Sequence, residues 1–223
     1  MMKLNRKYTS PNYDPVDIPV EFLVLHYTAG SLESTLDLFL DPSREVSAHL
    51  VMGENGEVYE LVKCWEGSTQ QAWHAGRSHW LEAGEKWEEF NHFSIGIEIV
   101  NLNGNLFPYT DEQYAGLKEV TAHLRSKYPA LNSPYCVVGH EQIADWRGKV
   151  DPGFNFDWHK FYEENYRGME HPHRNNVCHP EIAESFRGFI SAAPQDPERS
   201  SQYWHAVSHA METSNRLRQM QRE

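Results

Sequence analysis

The sequence predicts an α/β fold with a mixed central β-sheet flanked by helices and a cleft at one side, on the strength of three observations. Two short apolar runs, EFLVLH from Glu21 to His26 and the segment from Pro134 to His140, are too short for helices and suit buried strands. FSIGIEIV, from Phe93 to Val100, alternates β-branched residues with Ser94, Gly96 and Glu98, which is the period of a strand with two unlike faces. Segments with helical spacing lie between these runs, so strands and helices share one core.

In chain order, the first strand ends at His26. Ser34 to Leu40 carries Leu36, Phe39 and Leu40 behind the capping residues Ser31 and Ser34, and reads as a helix. Ala48 to Met52 and Glu57 to Val62 flank Glu54-Asn55-Gly56; Asn-Gly supplies the positive φ of a tight turn, so this unit is a hairpin. The Phe93 to Val100 strand follows, with the Glu98 carboxylate pointing away from the apolar face. Thr110-Asp111-Glu112-Gln113 opens a helix that runs to about Tyr128, with Tyr114, Leu117, Val120 and Leu124 on one side and Pro129 beyond its end. The Pro134 strand then ends in a second histidine, His140.

A boundary falls after Tyr166. Residues 1–166 form the core domain, and residues 167–223 are a polar, His-rich extension that begins around EHPHRNNVCHPE. Two helices are expected there, Pro180 to Ile190 and Ser201 to Arg222. They either pack on the core as an appendage or stay partly mobile, since AAPQDPERSS has the composition of a linker.

Composition narrows the function. A net charge of −12 over 223 residues repels nucleic acid and anionic lipid, which excludes a broad electrostatic grip on either. No stretch approaches the ~20 apolar residues of a membrane helix, and MMKLNRKYTSPNYDP lacks the apolar run of a secretory signal, so a cytoplasmic location is expected. Cys64, Cys136 and Cys178 are odd in number and widely spaced, which describes ordinary thiols rather than a disulfide framework.

Two histidines at predicted strand ends, His26 and His140, and an aspartate a short loop later, Asp151, make up a possible metal site. Two imidazoles and one carboxylate leave a tetrahedral zinc with an open position, as catalytic sites require. With thirteen histidines in the chain, spacing alone does not distinguish this set from a chance grouping.

The surrounding text does. LHYTAG, VSAHL, ENGEVYELV, AWHAG, SIGIEIVN and GHEQIADWRGKVDPG stand in the order seen in the N-acetylmuramoyl-L-alanine amidases of the AmpD and AmiD type, and the chain resembles that family from about Tyr8 to Phe161. The resemblance implies zinc held by His26, His140 and Asp151, with Glu98 as the acid/base carboxylate and Lys149 facing the developing oxyanion. It also implies that Trp73, His74 and Arg77 of AWHAGRS, with Arg147, line the substrate groove. His49 and His74 are alternatively groups that orient the ligands. Related phage lysozyme-like amidases and peptidoglycan-recognition proteins often carry a tyrosine just before the histidine of the second strand; Ala48 stands there in this chain, which leaves the proton work to Glu98. WRGKVD is one residue longer than the usual family form, with Gly148 as the extra residue.

The activity implied is hydrolysis of the amide between N-acetylmuramic acid and L-alanine, on peptidoglycan or muropeptides. A peptidoglycan-binding sensor without activity is the competing expectation, and a zinc peptidase acting within stem peptides is another. A second metal site built from His171, His173, Cys178 and His179 matches no zinc spacing, so that segment reads as a solvated loop.

Overall fold

A computed structural model describes residues 4–82, 85–172 and 177–220. In chain order its elements are β1 (Leu4–Asn5), β2 (Tyr13–Ile18), β3 (Phe22–Tyr27), α1 (Leu32–Leu40), β4 (Leu50–Met52), β5 (Val58–Glu60), β6 (Thr69–Ala72), β7 (His79–Glu82) and β8 (Glu85–Glu88). There follow β9 (Ser94–Ile99), α2 (Asp111–Lys127), β10 (Val137–Gly139), α3 (His140–Ala144), α4 (Trp158–Asn165), α5 (Pro180–Phe186) and α6 (Pro197–Met220).

Six strands make the central sheet, in the order β1-β5-β4-β9-β3-β10. Only the β4–β5 hairpin is antiparallel; the other neighbours run parallel. The hairpin turns at Gly56, whose φ of +75° is one that Asn-Gly turns exploit. The helix ends follow their sequence signals. Ser31 accepts a hydrogen bond from the Ser34 amide at 3.2 Å, and Thr110 and Gln113 form a reciprocal capping box with both bonds at 3.0 Å.

One face of the sheet packs Leu23, Leu25, Ile95, Ile97 and Ile99 against Leu117, Val120 and Leu124 of α2 and Phe161 and Tyr162 of α4. Each of the three isoleucines is fully buried, which stabilises the fold by roughly 1.5–3 kcal/mol apiece. The opposite face of β9 carries Ser94, Gly96 and Glu98 in the middle of the same sheet. Three positions that would hold apolar side chains there forgo a stabilisation of that order, and the functional site lies on this face.

The structure also departs from the sequence expectations. His140 does not end a strand: Ser133 caps a 3₁₀ turn at Pro134–Cys136, the strand shortens to Val137–Gly139, and His140 opens α3. The antiparallel ribbon of β2 with β6 and the β7–β8 hairpin are further strands without strong alternation in sequence.

The described helices of the extension pack against the core. Cys178, Ala183, Val207 and Met211 are buried in an apolar cluster with Leu106, against which Phe107 and Phe154 of the core also pack. Its second helix begins at Pro197, inside the segment that reads as a linker. Arg222, its expected end, lies outside the described residues. All three cysteines are free.

Candidate active site

The parallel strands β3 and β9 set the site. Their register pairs His26 with Glu98, so the two side chains leave the sheet together on the face that carries Ser94 and Gly96. His140 arrives from the first turn of α3, beside β3. Asp151 arrives from the following loop, which is tied to α3 where the Glu141 amide donates to the Asp151 carbonyl at 3.0 Å.

Three ligand atoms converge. His26 Nδ1 lies 3.0 Å from His140 Nδ1, and Asp151 Oδ2 lies 2.8 Å from the first and 3.0 Å from the second. Donors around a tetrahedral zinc with bonds of ~2.0 Å stand ~3.3 Å apart, so this triangle is a few tenths of an ångström tighter than a loaded site.

Hydrogen bonds on the far side of each ring fix which nitrogen is bare. His140 Nε2 donates to the Ala75 carbonyl at 3.1 Å, which leaves Nδ1 as the lone pair of the neutral ring. For His26 the logic runs through three residues. The Ser94 hydroxyl donates to the Phe90 carbonyl, so toward His74 Nε2, 3.2 Å away, it can only accept. His74 is therefore protonated on Nε2 and bare on Nδ1, and that nitrogen, 3.1 Å from His26 Nε2, accepts the His26 proton. His26 Nδ1 is left as a lone pair. Two bare nitrogens and a carboxylate oxygen facing one point is an arrangement that a cation stabilises, and the donor set fits zinc.

The electrostatics agree. Burial pushes the His26 imidazole down to about 4, with the neighbouring His140 acting in the same sense and Asp151 opposing. Burial also drives His74 well below its ordinary value, reinforced by His26, His49 and His140. Asp151 is only 9% exposed; burial pushes its carboxyl up, but His140 and His26 outweigh this and hold it well below the usual carboxylate range. Glu98 moves the other way. Burial and then Asp151 raise it well above its ordinary value, with Lys149 as the opposing charge, and its Oε2 is buried without a hydrogen bond. A carboxyl so placed binds a proton more tightly than an ordinary glutamate does, which is the property that acid/base work uses.

The remaining sequence candidates separate into two groups. Lys149 lines the same cavity of about 450 Å³ as His26, Glu98, His140 and Asp151. His74 reaches it from beneath: Gly96 makes the slot, since a Cβ there would stand 2.4 Å from His74 Cγ. Asn91, missed in the sequence, accepts from the His74 and Ala75 amides at 3.1 and 2.8 Å and fixes the AWHAG loop. Ser94 was missed as well; its place on the same face as Gly96 and Glu98 in the strand alternation was the available signal.

Trp73, Arg77 and Arg147, expected in the groove, do not line this cavity. The Trp73 indole donates to Asp14 at 2.9 Å, and Arg77 is exposed with its guanidinium 5.5 Å over the Trp146 ring. Arg147 donates to the carbonyls of Ala75 and Arg77 at 3.0 and 2.9 Å, so it braces the AWHAGR loop. His49 is also structural, accepting the Gly96 amide on Nδ1 at 3.0 Å and facing the Gln70 carbonyl with Nε2 at 2.8 Å.

In the extension, the expected loop residues disperse. Cys178 is buried in the apolar cluster, His179 caps α5, and His173 lies outside the described residues. His171 instead stacks on Tyr162, and with His159 and Glu163 it forms a second, more exposed group of metal-type ligands.

Comparison with known proteins places this geometry. Residues 16–154 match the family model described as N-acetylmuramoyl-L-alanine amidase. The 1,6-anhydro-N-acetylmuramyl-L-alanine amidase AmpD of Haemophilus influenzae is 32% identical over 176 residues, covering 70% of this chain and 89% of that protein. The AmpD of Enterobacter cloacae is 39% identical over 177 residues, covering 70% and 88%. The chain is also similar to the structure of Escherichia coli AmiD in complex with the substrate anhydro-N-acetylmuramic acid-L-Ala-D-gamma-Glu-L-Lys. That match has a TM-score of 0.55 and 30% identity, and covers 69% of this chain and 61% of that one.

Proposed function

Since this chain belongs to the N-acetylmuramoyl-L-alanine amidase family, we propose that it hydrolyses the amide between N-acetylmuramic acid and L-alanine, with soluble 1,6-anhydro-muropeptides as its substrates. The observation that carries the proposal is the convergence of His26 Nδ1, His140 Nδ1 and Asp151 Oδ2 beside a register-paired, desolvated Glu98. The anhydro form is the one named for the AmpD relatives and held by the AmiD complex.

His26, His140 and Asp151 would hold zinc, which supplies Lewis acidity toward the amide carbonyl and toward a water molecule. Glu98 takes the proton of the attacking water and passes it to the departing alanyl nitrogen, so one carboxyl serves as base and then as acid. Lys149, on the same cavity, offsets the charge that develops on the carbonyl oxygen. His74 and Ser94 hold His26 in the tautomer that presents Nδ1, and Ala75 does the same for His140. Among the described residues no helix is long and apolar enough to cross a membrane. The setting that completes this reading is recycling of wall fragments in the cytoplasm, which fractionation of cells expressing the protein tests.

Mass spectrometry of products from soluble anhydro-muropeptides and from purified sacculi, side by side, tests the reaction. Release of an intact stem peptide with a new L-alanine amino terminus supports it. Cuts within the stem peptide would assign a peptidase, and binding without turnover would assign a sensor.

A further inference from the structure

The C-terminal extension reaches the cavity that holds the metal-type ligands. Ile190, Pro194, Ser201 and Trp204 line the space of about 450 Å³ whose other side carries Glu98 and Asp151. All four lie beyond residue 154, where the match to the amidase family model ends.

The extension is fixed in this position by two kinds of contact. Val207 and Met211 of α6 bury themselves in the apolar cluster with Leu106, and the Ser208 hydroxyl donates to Asn105 Oδ1 at 3.0 Å. At the cleft itself α6 sits directly on the loop that carries Lys149. Gly148 has a φ of +80°, and a Cβ there would stand 2.8 Å from the Ser201 carbonyl carbon. At the extra residue in WRGKVD a side chain would therefore push the extension away.

We propose that the segment from Ile190 to Trp204 forms a wall of the substrate cleft, in which Trp204, Ile190 and Pro194 determine specificity by selecting soluble muropeptides over intact sacculi. The inference rests on the amidase reading above and extends it. The scissile amide is flanked by the lactyl methyl on one side and the alanyl methyl on the other, within an otherwise polar substrate. A cleft with a charged floor and an apolar wall matches that division, and an indole also offers a broad face to sugar carbons. A short fragment can enter such a cleft end-on. A continuous strand has to run past the site, where a wall built from the chain's own helix takes up the room.

The test uses the full-length, zinc-loaded protein with Trp204→Ala and, as a packing control, Val207→Ala, which changes α6 where it faces the apolar cluster. On a soluble anhydro-muramyl tripeptide, Trp204→Ala should raise KM about tenfold with kcat changed less than about twofold, the scale on which loss of an apolar contact acts. Its rate on sacculi relative to the soluble substrate should rise. Val207→Ala should lower the melting temperature and leave KM where it was. Calorimetric binding of the tripeptide in a Glu98→Gln background gives the same readout without turnover, and there Trp204→Ala should weaken affinity about tenfold. An unchanged KM and affinity in Trp204→Ala, or an equal shift in Val207→Ala, would overturn the wall. Absence of turnover by the unmutated protein on both substrates would instead strike the amidase reading, while the binding arm still decides the wall.

Discussion

His26 and Glu98 are register partners on adjacent parallel strands, so a metal-type ligand and the carboxyl proposed for the acid/base role leave the sheet side by side on one face. Backbone pairing, rather than a loop, fixes the relation between them. Glu98→Gln should therefore keep the zinc content and the affinity for muropeptide while turnover falls ~10²–10⁴-fold, the usual cost of losing a positioned acid/base. Elemental analysis, calorimetry and product release on one preparation check this. Unimpaired turnover would remove Glu98 from the mechanism.

The chain from the Phe90 carbonyl through Ser94 and His74 to His26 predicts a tautomer. His74→Phe keeps a ring in the Gly96 slot but gives His26 Nε2 no acceptor, and zinc affinity should fall ~10–100-fold. His74→Asn places an oxygen near the former Nδ1 and should recover much of the loss. Ser94→Ala, at a residue outside both the ligand cluster and the cavity lining, should leave a mixture of His26 tautomers, read from nitrogen chemical shifts of the ring. A single unchanged tautomer in Ser94→Ala would break the relay.

The dialysed protein should carry about one zinc per chain, held by three protein ligands with an open position. Asp151→Ala should release the metal and the activity together, because two neutral imidazoles remain without the carboxylate. His159→Ala, in the exposed group with Glu163 and His171, should change neither. Stoichiometric zinc in Asp151→Ala would show that the ligand set is different.

His49 makes a prediction about acid stability. Burial lowers its imidazole from 6.5 to about 4, so the folded protein holds it neutral where the unfolded chain would already be protonated. Its contribution is fully present above pH 6.5 and is lost as pH falls toward 4, amounting to about 3 kcal/mol across that window. Denaturant unfolding of the metal-free protein at several pH values between 7.5 and 4.5 measures the slope. His49→Gln should be less stable at pH 7.5 and should lose less on acidification, by up to one proton. Parallel curves for the two proteins would mean that His49 titrates normally.

Much of this molecule was readable in its sequence because the signals were local. The apolar run before His26, the Thr110 and Gln113 capping box and the Asn55-Gly56 turn each state a preference that short-range sterics and hydrogen bonding enforce. The alternation of Ser94, Gly96 and Glu98 with isoleucines announced a strand with one chemical face. Strands β2 and β6 were not readable, since YDPVDI and TQQA carry no apolar alternation and owe their form to each other.

By itself the sequence determined the residue types of an amidase site, their order, and the element on which most of them ride. Tertiary structure alone decided which of them meet. It set His74 beneath His26 at the base of the cavity, tied Trp73 to Asp14 and Arg147 to the AWHAGR loop, and set the extension against the cavity. The physical reason is that a side chain's task depends on the partner its polar atoms find on folding. For His74 that partner is 48 residues away and for His26 and Asp151 it is 125, distances over which local preference carries no information.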